Sequence, residues 1–365
     1  MSAPGVLVMA GGTGGHVFPA LAVATALRGR GITVTWMGTR TGLEARLVPE
    51  AGFPIEWVDV GGVRGKGFAT RLAAPLRIAR AVSHAAGVIR RVDPAMVLGM
   101  GGFASGPGGL AAWLTRRPLV VHEQNAVAGM TNRVLARFAA SVLEAFPGSF
   151  PAPIRARAVG NPVRPEIAAL PAPAERMAGR DGPVRLLVLG GSQGALRINQ
   201  LMPEALAGMD PSIRPVVRHQ AGALHHEKAA AAYAAAGVEA DVQPFLSDMA
   251  EAYGWADLVL CRSGALTVSE LAAAGLGSVL IPFPAAVDDH QTLNARYLVD
   301  PGAALLAPEH TLDPERVRGL LEPLVSDRTR LLEMAAIARS VARPSALAEI
   351  EQTCLDAGRL EAGRG

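Results

Sequence analysis

The sequence predicts an α/β protein with two doubly wound parallel sheets, and three observations lead to this class. The apolar run Val6–Met9 passes directly into a glycine-rich turn, residues 11–15, and then into a helical pattern. A second copy of this arrangement occurs at residues 186–189 and 190–194. Short apolar runs and helical segments alternate along the whole chain, which is typical of parallel sheets buried on both faces.

Length and composition support the same class. The chain has 365 residues, enough for two domains at roughly 150 residues each. Hydrophobic residues make up 50% of the chain and aromatic residues only 4%, so the cores must consist mainly of Ala, Leu and Val. Such cores suit helices packed on parallel sheets better than a β-sandwich.

The charge balance limits the expected partners. The net charge is +3 and the pI is near 9.2, and Lys66 and Lys228 are the only lysines, so arginine supplies nearly all positive charge. This balance suits anionic ligands or an anionic membrane surface. The sequence contains no motif that reads RNA or DNA, so we expect no nucleic-acid partner. Cys261 and Cys354 lie far apart without metal-ligand spacing, which favours a reducing cytoplasm over a disulfide or zinc scaffold.

The predicted elements follow from the apolar runs and the turns between them. In the first half we predict strands at residues 6–9, 32–37, 55–60, 96–99 and 119–122, with helices at 17–28, 43–51, 70–92 and from the glycine turn 101–109 to residue 115. In the second half we predict strands at residues 186–189, 215–219, 238–242, 258–261, 278–281 and 304–306, with helices at 200–208, 225–236, 248–253, 266–274 and 291–298. Residues 344–357 predict an amphipathic helix at the end of the chain.

The proline-rich segment 147–183 marks the predicted domain boundary. We place an N-terminal domain at residues 1–163 and a C-terminal domain at residues 164–340. The final segment, residues 341–365, is expected to pack back on the N-terminal domain through its helix.

His16 is the first candidate for chemistry. It follows the glycine turn at the start of a predicted helix and near the carboxyl end of a strand, where open α/β sheets bind ligands. A helix N-terminus disfavours the imidazolium, so a neutral ring that accepts a proton is expected. The alternative is a histidine that merely caps the turn.

A second candidate site is the strand-to-helix junction at residues 261–270. The amides at the start of the helix, from Ala265, can hold a diphosphate without a metal because the helix dipole supplies the positive end. Glu270 is positioned to accept hydrogen bonds from ribose hydroxyls. The alternative is a surface helix with an ordinary carboxylate.

A third candidate site opens the next helix. Gln291 and Asn294 are three residues apart and share a face, and uncharged amides suit sugar hydroxyls. Asp288, Asp289 and His290 would be the alternative, as metal ligands. Adjacent helical residues point in different directions, so we expect no metal there.

Seven motifs together resemble one known family. The chain is similar to the MurG family of peptidoglycan glycosyltransferases from residue 6 to about residue 343. The resemblance rests on residues 11–16 (GGTGGH), 101–107 (GGFASGP), 122–125 (HEQN), 161–164 (NPVR), 190–194 (GGSQG), 262–270 (RSGALTVSE) and 289–291 (DHQ).

The resemblance implies a fold and a reaction. The family has the GT-B fold, in which two Rossmann-like domains face a cleft, with an inverting mechanism and no required metal or cofactor. The implied reaction moves GlcNAc from UDP-GlcNAc to lipid I, undecaprenyl-pyrophosphoryl-MurNAc-pentapeptide, to form lipid II in peptidoglycan synthesis. The alternatives are another GT-B UDP-sugar transferase, a UDP-GlcNAc epimerase, or a non-catalytic binding protein for nucleotide sugars or lipid carriers.

The resemblance also implies the site residues. The C-terminal domain would bind the donor through Arg164, Ser192, Leu246, Ala265, Leu266, Thr267, Val268, Ser269, Glu270, Gln291 and Asn294. The N-terminal domain would bind the acceptor through Thr13, Gly14, Gly15 and Asn125. His16 is the expected general base, and Glu123 is the alternative.

A lipid-linked acceptor implies contact with the membrane. The resemblance places the protein peripherally on the cytoplasmic face of the bacterial inner membrane, and it allows partners among the cell-wall synthesis proteins. The candidate face consists of Arg64, Lys66, Arg71, Leu72, Leu76, Arg77, Arg80, Trp113, Arg116 and Arg117. Arginines would meet anionic headgroups while leucine and tryptophan enter the interface. The alternative is an ordinary amphipathic helix with its leucines in the core.

Overall fold

A computed structural model describes residues 5–60, 68–191, 194–286 and 289–361, with backbone only for residues 68–74. The described residues contain two parallel sheets. Their strands are β1 Val6–Met9, β2 Val34–Gly38, β3 Ile55–Trp57, β4 Met96–Gly99, β5 Leu119–Glu123, β6 Ser141–Glu144, β7 Arg157–Ala158, β8 Arg185–Leu189, β9 Val216–Gln220, β10 Ala240–Gln243, β11 Leu258–Cys261, β12 Gly277–Leu280 and β13 Ala304–Leu306.

Helices connect most of these strands. They are α1 Gly14–Gly29, α2 Glu44–Glu50, α3 Phe68–Val92, α4 Ser105–Leu114, α5 Met130–Leu135, α6 Pro165–Ala168, α7 Pro173–Met177, α8 Leu196–Ala207, α9 His226–Ala235, α10 Met249–Trp255, α11 Ala265–Ala274, α12 His290–Val299, α13 Pro314–Val325, α14 Arg328–Ser340 and α15 Ala346–Gly358. Among the described residues, no helix is both long and apolar enough to span a bilayer.

The chain divides into two compact units. The N-terminal unit comprises Met1–Pro162 together with Ser345–Gly365, and the C-terminal unit comprises Val163–Pro344. Helix α15 belongs to the N-terminal unit because its buried residues Ile350, Cys354 and Leu355 pack in the same core as β1 and β4.

The sheet of the N-terminal unit has the strand order β3-β2-β1-β4-β5-β6-β7, with every pair parallel. Alternate residues of β1 enter two different cores. Val6 and Val8 face the core that contains α1 and α15, while Leu7 and Met9 face the core that contains α3 and α4. Burial on both faces is the reason why this strand is apolar throughout and shows no polar alternation.

The C-terminal unit repeats the architecture with one strand fewer in the described residues. Its order is β10-β9-β8-β11-β12-β13, again with every pair parallel. One of its cores packs Leu186 and Val188 of β8 with Leu258 and Leu260 of β11 against α8 and α13. Each unit is therefore a Rossmann-like doubly wound sheet, and the predicted fold class is confirmed.

The strand order determines where each unit can bind a ligand. In both sheets the chain begins in the middle, at β1 or β8, and later returns to the other side, at β4 or β11. Loops that leave the carboxyl ends of these two neighbouring strands diverge to opposite faces and open a crevice between them. The glycine turns that follow β1, β4 and β8 all begin at these crevices.

Several predicted elements have different bounds in the structure. Helix α1 begins at Gly14, three residues earlier than predicted, because Thr13 is extended (φ −110°, ψ 161°) and Gly14 already forms helix. The prediction omitted strands β6 and β7 and helices α5, α6, α7, α13 and α14. The change at α1 matters for function because it places Gly14, Gly15 and His16 in the first helical turn.

Candidate functional site

The first glycine turn connects β1 to α1 and holds His16 at the carboxyl edge of the sheet. Gly12 has φ +86°, a conformation that glycine adopts without the strain a side chain would cause. The carbonyl of Thr13 accepts hydrogen bonds from the amides of His16 (3.1 Å) and Val17 (3.2 Å). Thr13, Gly14, Gly15 and His16 therefore lie together on one turn, as the sequence predicted.

A second glycine turn, after β4, packs directly against the first. A Cβ atom at Gly102 would lie 2.4 Å from the carbonyl oxygen of Gly11, and one at Gly101 would lie 2.6 Å from Nδ1 of His16. Both glycines also have positive φ, +95° for Gly101 and +91° for Gly102. Glycine is required at position 101 so that the His16 ring can rest against this backbone, and at position 102 so that the two turns can pack together.

Glu44 supports the first turn from behind, a role that the sequence analysis missed. Its carboxylate is buried and accepts hydrogen bonds from the amides of Gly12 (2.9 Å) and Thr39 (3.0 Å) and from the Thr39 hydroxyl (2.7 Å). A Cβ atom at Gly11 or Gly42 would lie within 2.4 Å of this carboxylate. The missing side chains make room for Glu44, and no local pattern predicts this contact.

The half-buried ring of His16 is hydrogen-bonded to the end of β5. Its Nδ1 lies 2.9 Å from Oε1 of Gln124, and Nε2 of Gln124 lies 3.1 Å from Nδ1 of His122. Nε2 of His122 lies 2.9 Å from the carbonyl oxygen of Gly160. Burial lowers the pKa of His122 to about 4, so this ring is neutral at physiological pH. The sequence marked residues 122–125 as polar but did not predict this chain of contacts.

Glu123, the alternative base, is buried and surrounded by donors. Its Oε1 accepts from the amide of Asn125 (3.0 Å) and from the Asn125 side chain (3.2 Å). Its Oε2 accepts from the amide of Gly129 (3.1 Å) and from the side chain of Asn132 (2.8 Å). The carboxylate thus organises the loop after β5. It also orients Asn125, the fourth residue predicted to bind the acceptor substrate.

In the C-terminal unit the corresponding glycine turn follows β8. Gly191 and Gly194 have φ of +78° and +76°, and a Cβ atom at Gly190 would lie 2.7 Å from the amide nitrogen of Ala195. Ser192, which the sequence predicted as a donor contact, lies outside the described residues. The backbone on either side of it has the geometry of a close-approach turn.

Helix α11 begins at Ala265 after the extended residue Gly264 (φ −62°, ψ 144°). A glycine at this position brings no side-chain acceptor of its own to the first amides of the helix. Within the predicted segment, Ala265 and Val268 are buried, whereas Leu266, Thr267 and Ser269 are half-buried. The helix therefore presents its amino-terminal end at the carboxyl edge of the sheet, where an anion can bind.

Glu270 is buried in the second turn of α11 and has two polar partners. Its Oε1 accepts from the guanidinium of Arg164 (2.9 Å), and its Oε2 accepts from the hydroxyl of Tyr253 (3.1 Å). Burial raises the pKa of Glu270, and Arg164 opposes that rise. Burial, followed by the nearby Glu270 charge, raises the pKa of Tyr253, so its hydroxyl stays a donor. The structure thus brings together Arg164 and Glu270, which were both predicted to bind the donor substrate. The sequence did not predict the contact with Tyr253.

Three other residues predicted to bind the donor substrate are placed by different contacts in the C-terminal unit. Oε1 of Gln291 accepts from the amide of Phe283 at 2.9 Å. Asn294 is fully buried, and its side-chain amide lies 3.3 Å from the carbonyl oxygen of Ser263, so it braces the turn before α11. Leu246 has a buried side chain in the loop between β10 and α10.

The arrangement of His, Cys, Asp and Glu side chains determines whether the described residues could hold a metal ion. Residues 289–361 and the other described segments contain no cluster of three His, Cys, Asp or Glu side chains able to hold a metal ion. Asp288, one of three ligands considered from the sequence, is outside the described residues. Cys261 and Cys354 are buried free thiols, and burial raises the pKa of each to about 12.

Comparison with known proteins agrees with this arrangement. Residues 6–144 match the glycosyltransferase family 28 N-terminal domain, and residues 185–350 match the family's C-terminal domain. The chain is 56% identical over 351 residues to the UDP-N-acetylglucosamine--N-acetylmuramyl-(pentapeptide) pyrophosphoryl-undecaprenol N-acetylglucosamine transferase of Marinobacter nauticus, covering 96% of this chain and 97% of the relative.

Two further comparisons give the same result. The transferase of the same name from Nitrosococcus oceani is also 56% identical, over 96% of this chain and 98% of its own length. The crystal structure of Acinetobacter baumannii MurG superposes with a TM-score of 0.87 at 42% identity, covering 97% of this chain and all of that one. The chain therefore belongs to glycosyltransferase family 28 and has its two-domain GT-B fold.

Proposed function

We propose that this glycosyltransferase moves N-acetylglucosamine from UDP-N-acetylglucosamine to N-acetylmuramyl-pentapeptide pyrophosphoryl-undecaprenol, known as lipid I. The observation that carries the proposal is the 56% identity to transferases of that name, which extends through both units. The product is lipid II, the disaccharide precursor of peptidoglycan.

His16 is the proposed general base. In an inverting displacement, the base removes a proton from the acceptor hydroxyl while that oxygen attacks the anomeric carbon and UDP departs from the opposite side. Support comes from the half-buried ring at the mouth of the β1–β4 crevice, within reach of a bound ligand. Four donors already occupy the Glu123 carboxylate, which supports His16 over Glu123 as the base.

Thr13, Gly14, Gly15 and Asn125 are the proposed contacts to the acceptor. The amino-terminal end of α1, which begins at Gly14, offers backbone amides and a positive dipole end to the acceptor's pyrophosphate. Asn125 lies in the loop that Glu123 organises and is oriented by the two hydrogen bonds that it donates to that carboxylate. These residues lie on the same edge of the sheet as His16.

The C-terminal unit is the proposed donor site. The amino-terminal end of α11, residues 265–269, would hold the diphosphate, and Glu270 would accept from the ribose hydroxyls. Arg164 and Tyr253 support the second assignment because they fix the orientation of the carboxylate and leave each oxygen capacity for a further bond. Leu246 would contact the uracil through its backbone, and Gln291 and Asn294 would form the sugar pocket, with Ser192 at the preceding turn.

The reaction can be tested by following UDP release. The purified protein is incubated with UDP-N-acetylglucosamine, with and without a lipid I analogue. UDP release that requires the lipid acceptor, together with a disaccharide product, is the expected result. Interconversion of free UDP-sugars would assign an epimerase instead, and transfer to unrelated acceptors would assign another UDP-sugar transferase. Binding without turnover would reduce the protein to a non-catalytic carrier.

A membrane-contacting face on the N-terminal unit is proposed from its exposed apolar side chains. Helix α3 packs on α4, and α4 packs on α5. Leu76 is 76% exposed and is followed by the exposed arginines Arg77 and Arg80. Trp113 is 51% exposed, with its ring 5.0 Å from that of Phe138. Exposed apolar groups beside arginines suit the interface of an anionic bilayer, here the cytoplasmic face of the inner membrane.

The other predicted members of this face differ in their exposure and contacts. Arg116 is exposed, whereas Arg117 pairs with Asp93 and donates to the carbonyl of Pro94. Arg64, Lys66 and the side chains of Arg71 and Leu72 lie outside the described residues. Leu76 is exposed, which supports the membrane interpretation over an ordinary helix with its leucines in the core.

Reversing two charges tests the membrane-contacting face. The double variant Arg77→Glu/Arg80→Glu should bind phosphatidylglycerol vesicles more weakly, since each arginine near an anionic surface contributes about 1 kcal/mol. Transfer to the full-length lipid acceptor should slow more than transfer to a short-chain soluble analogue. The matched control is Arg316→Glu/Arg330→Glu, two exposed arginines of the C-terminal unit. Equal vesicle binding by the two double variants would contradict the proposal.

A further inference from the structure

Three hydrogen bonds connect His16 to a backbone carbonyl on the far side of β5. They run from Nδ1 of His16 to Oε1 of Gln124 (2.9 Å), from Nε2 of Gln124 to Nδ1 of His122 (3.1 Å), and from Nε2 of His122 to the oxygen of Gly160 (2.9 Å). Gln124 and His122 are both buried, so water does not compete for these contacts. Each bond needs one donor and one acceptor, and this condition determines where every proton lies.

The direction of the chain is set at its buried end. The carbonyl oxygen of Gly160 can only accept, so Nε2 of His122 carries the proton. A buried, neutral His122 has a single ring proton, because burial lowers its pKa to about 4. Its Nδ1 is therefore bare and accepts a hydrogen bond from the side-chain amide of Gln124.

A second contact gives the same orientation of the Gln124 amide. Its Nε2 also lies 3.2 Å from the carbonyl oxygen of His122, another atom that can only accept. Rotating the amide by 180° would place Oε1 against two acceptors at once and would break both hydrogen bonds. The backbone of Gln124 is held as well, since its carbonyl accepts from the side chain of Asn161 at 3.1 Å.

The orientation of Gln124 determines the tautomer of His16. Oε1 of Gln124 is an acceptor only, so Nδ1 of His16 must carry the proton, and a neutral ring then has a bare Nε2. Among the residues that the structure describes, none hydrogen-bonds to this Nε2. The backbone of Gly101 packs beside the same ring nitrogen, since a Cβ atom there would lie 2.6 Å from Nδ1.

We propose that Gln124, held by His122 and Gly160, is a positioning residue that selects the Nδ1–H tautomer of His16 and so leaves Nε2 free to accept the acceptor's proton. This inference rests on the proposed role of His16 as general base. Histidine side chains in water favour the Nε2–H tautomer, which would present a proton where a base needs a lone pair. After proton transfer, the imidazolium keeps its Nδ1–H bond to Oε1, so the ring does not have to move.

The tautomer can be measured directly in the wild-type protein. ¹⁵N-histidine labelling and long-range ¹H–¹⁵N correlation spectra distinguish a protonated ring nitrogen from a bare one, and the His16→Ala spectrum assigns the signals. We expect a protonated Nδ1 and a bare Nε2 at pH 7.5. A protonated Nε2 with a bare Nδ1 would overturn the proposal without the need for any Gln124 variant.

Variants of Gln124 then test cause and effect. Gln124→Leu should shift His16 toward the Nε2–H tautomer and lower kcat by at least about 10-fold, up to the roughly 10²–10⁴-fold that a general base contributes. The KM for UDP-N-acetylglucosamine should stay unchanged. Gln124→Glu keeps an acceptor for Nδ1–H but loses both bonds that Nε2 of Gln124 donates, so Nδ1 of His16 should stay protonated. An unchanged tautomer in Gln124→Leu would contradict the proposal.

Failure of the base assignment gives a different pattern. If His16→Ala retained the wild-type kcat, His16 would not be the base, yet the wild-type spectra would still report the tautomer that Gln124 selects. If Gln124→Leu did not fold, Gln124→Met removes the side-chain amide with a smaller change in shape. It should raise the fraction of the Nε2–H tautomer of His16, and an unchanged fraction would count against the proposal.

Discussion

The two units have the same sheet architecture, but they place different chemistry at the same edge. In the N-terminal unit the crevice beside β1 holds a chain of hydrogen-bonded side chains, His16, Gln124 and His122. In the C-terminal unit the crevice beside β11 holds an ion pair between Arg164 and Glu270. Proton transfer needs a neutral base with a free lone pair, whereas binding sugar hydroxyls needs an acceptor of fixed orientation. The fold supplies the location, and the side chains supply the chemistry.

The largest expected effect separates the two crevices kinetically. His16→Ala should lower kcat by roughly 10²–10⁴-fold, the usual contribution of a general base, while the affinity for UDP-N-acetylglucosamine is retained. Steady-state assays with a lipid I analogue, together with donor titration, measure both quantities. His310→Ala changes an exposed histidine and serves as the control. A wild-type kcat in His16→Ala would transfer the role to Glu123 or to no protein base.

The next effect compares the buried histidines of the two units by pH. Burial lowers the pKa of His122 to about 4 and that of His219 to about 3, against an unfolded value of 6.5. Below pH 6.5 the unfolded chain binds protons that these native rings do not. Stability is therefore full above pH 6.5 and falls as the pH drops, by about 1.4 kcal/mol per pH unit for each histidine.

Denaturant titrations between pH 7.5 and pH 4.5 measure this slope. His219→Gln should remove about one proton from the pH dependence of the C-terminal unit. Its ring lies within hydrogen-bonding distance of Asn199 and Tyr233, so some loss of stability at neutral pH is also expected. His310→Ala should leave the slope unchanged. A pH dependence that is identical in His219→Gln and wild type would show that the native fold does not lower the pKa of this ring.

A smaller effect is expected at the ion pair of the C-terminal unit. Glu270→Ala should weaken UDP-N-acetylglucosamine binding by about 1.5–3 kcal/mol, the usual worth of a hydrogen bond to a charged group. The KM for the donor should therefore rise much more than kcat falls. Tyr253→Phe removes one neighbour of the carboxylate and should have a milder effect. Unchanged donor affinity in Glu270→Ala would remove Glu270 from the site.

The smallest expected effect is that of metal removal. The amino-terminal end of α11 can hold the donor diphosphate through backbone amides and the helix dipole, so chelation by EDTA should leave the transfer rate unchanged. The comparison is made with the same enzyme after dialysis and after magnesium is added back. Activity that is lost with EDTA and restored by magnesium would contradict this view of the diphosphate site.

The sequence by itself determined the sheets and the glycine turns. Runs such as Val6–Met9 and Leu258–Cys261 are apolar throughout because both sides of the strand are buried, and this property is local. Glycines at positions 12, 101 and 102 have positive φ. This backbone conformation is a local requirement of each turn, so the glycines mark the turns in the sequence. Strand β6 was missed because its four residues, SVLE, combine two apolar and two polar side chains and give no clear pattern.

Only the tertiary structure decided which side chains meet. His16 and Gln124 are 108 residues apart, Arg164 and Glu270 are 106 apart, and Gly12 and Glu44 are 32 apart. The first pair forms because the strand order places the ends of β1, β4 and β5 side by side, and no local pattern encodes that order. For the same reason the sequence could propose Asn294 as a sugar contact but could not show that it is buried behind Ser263.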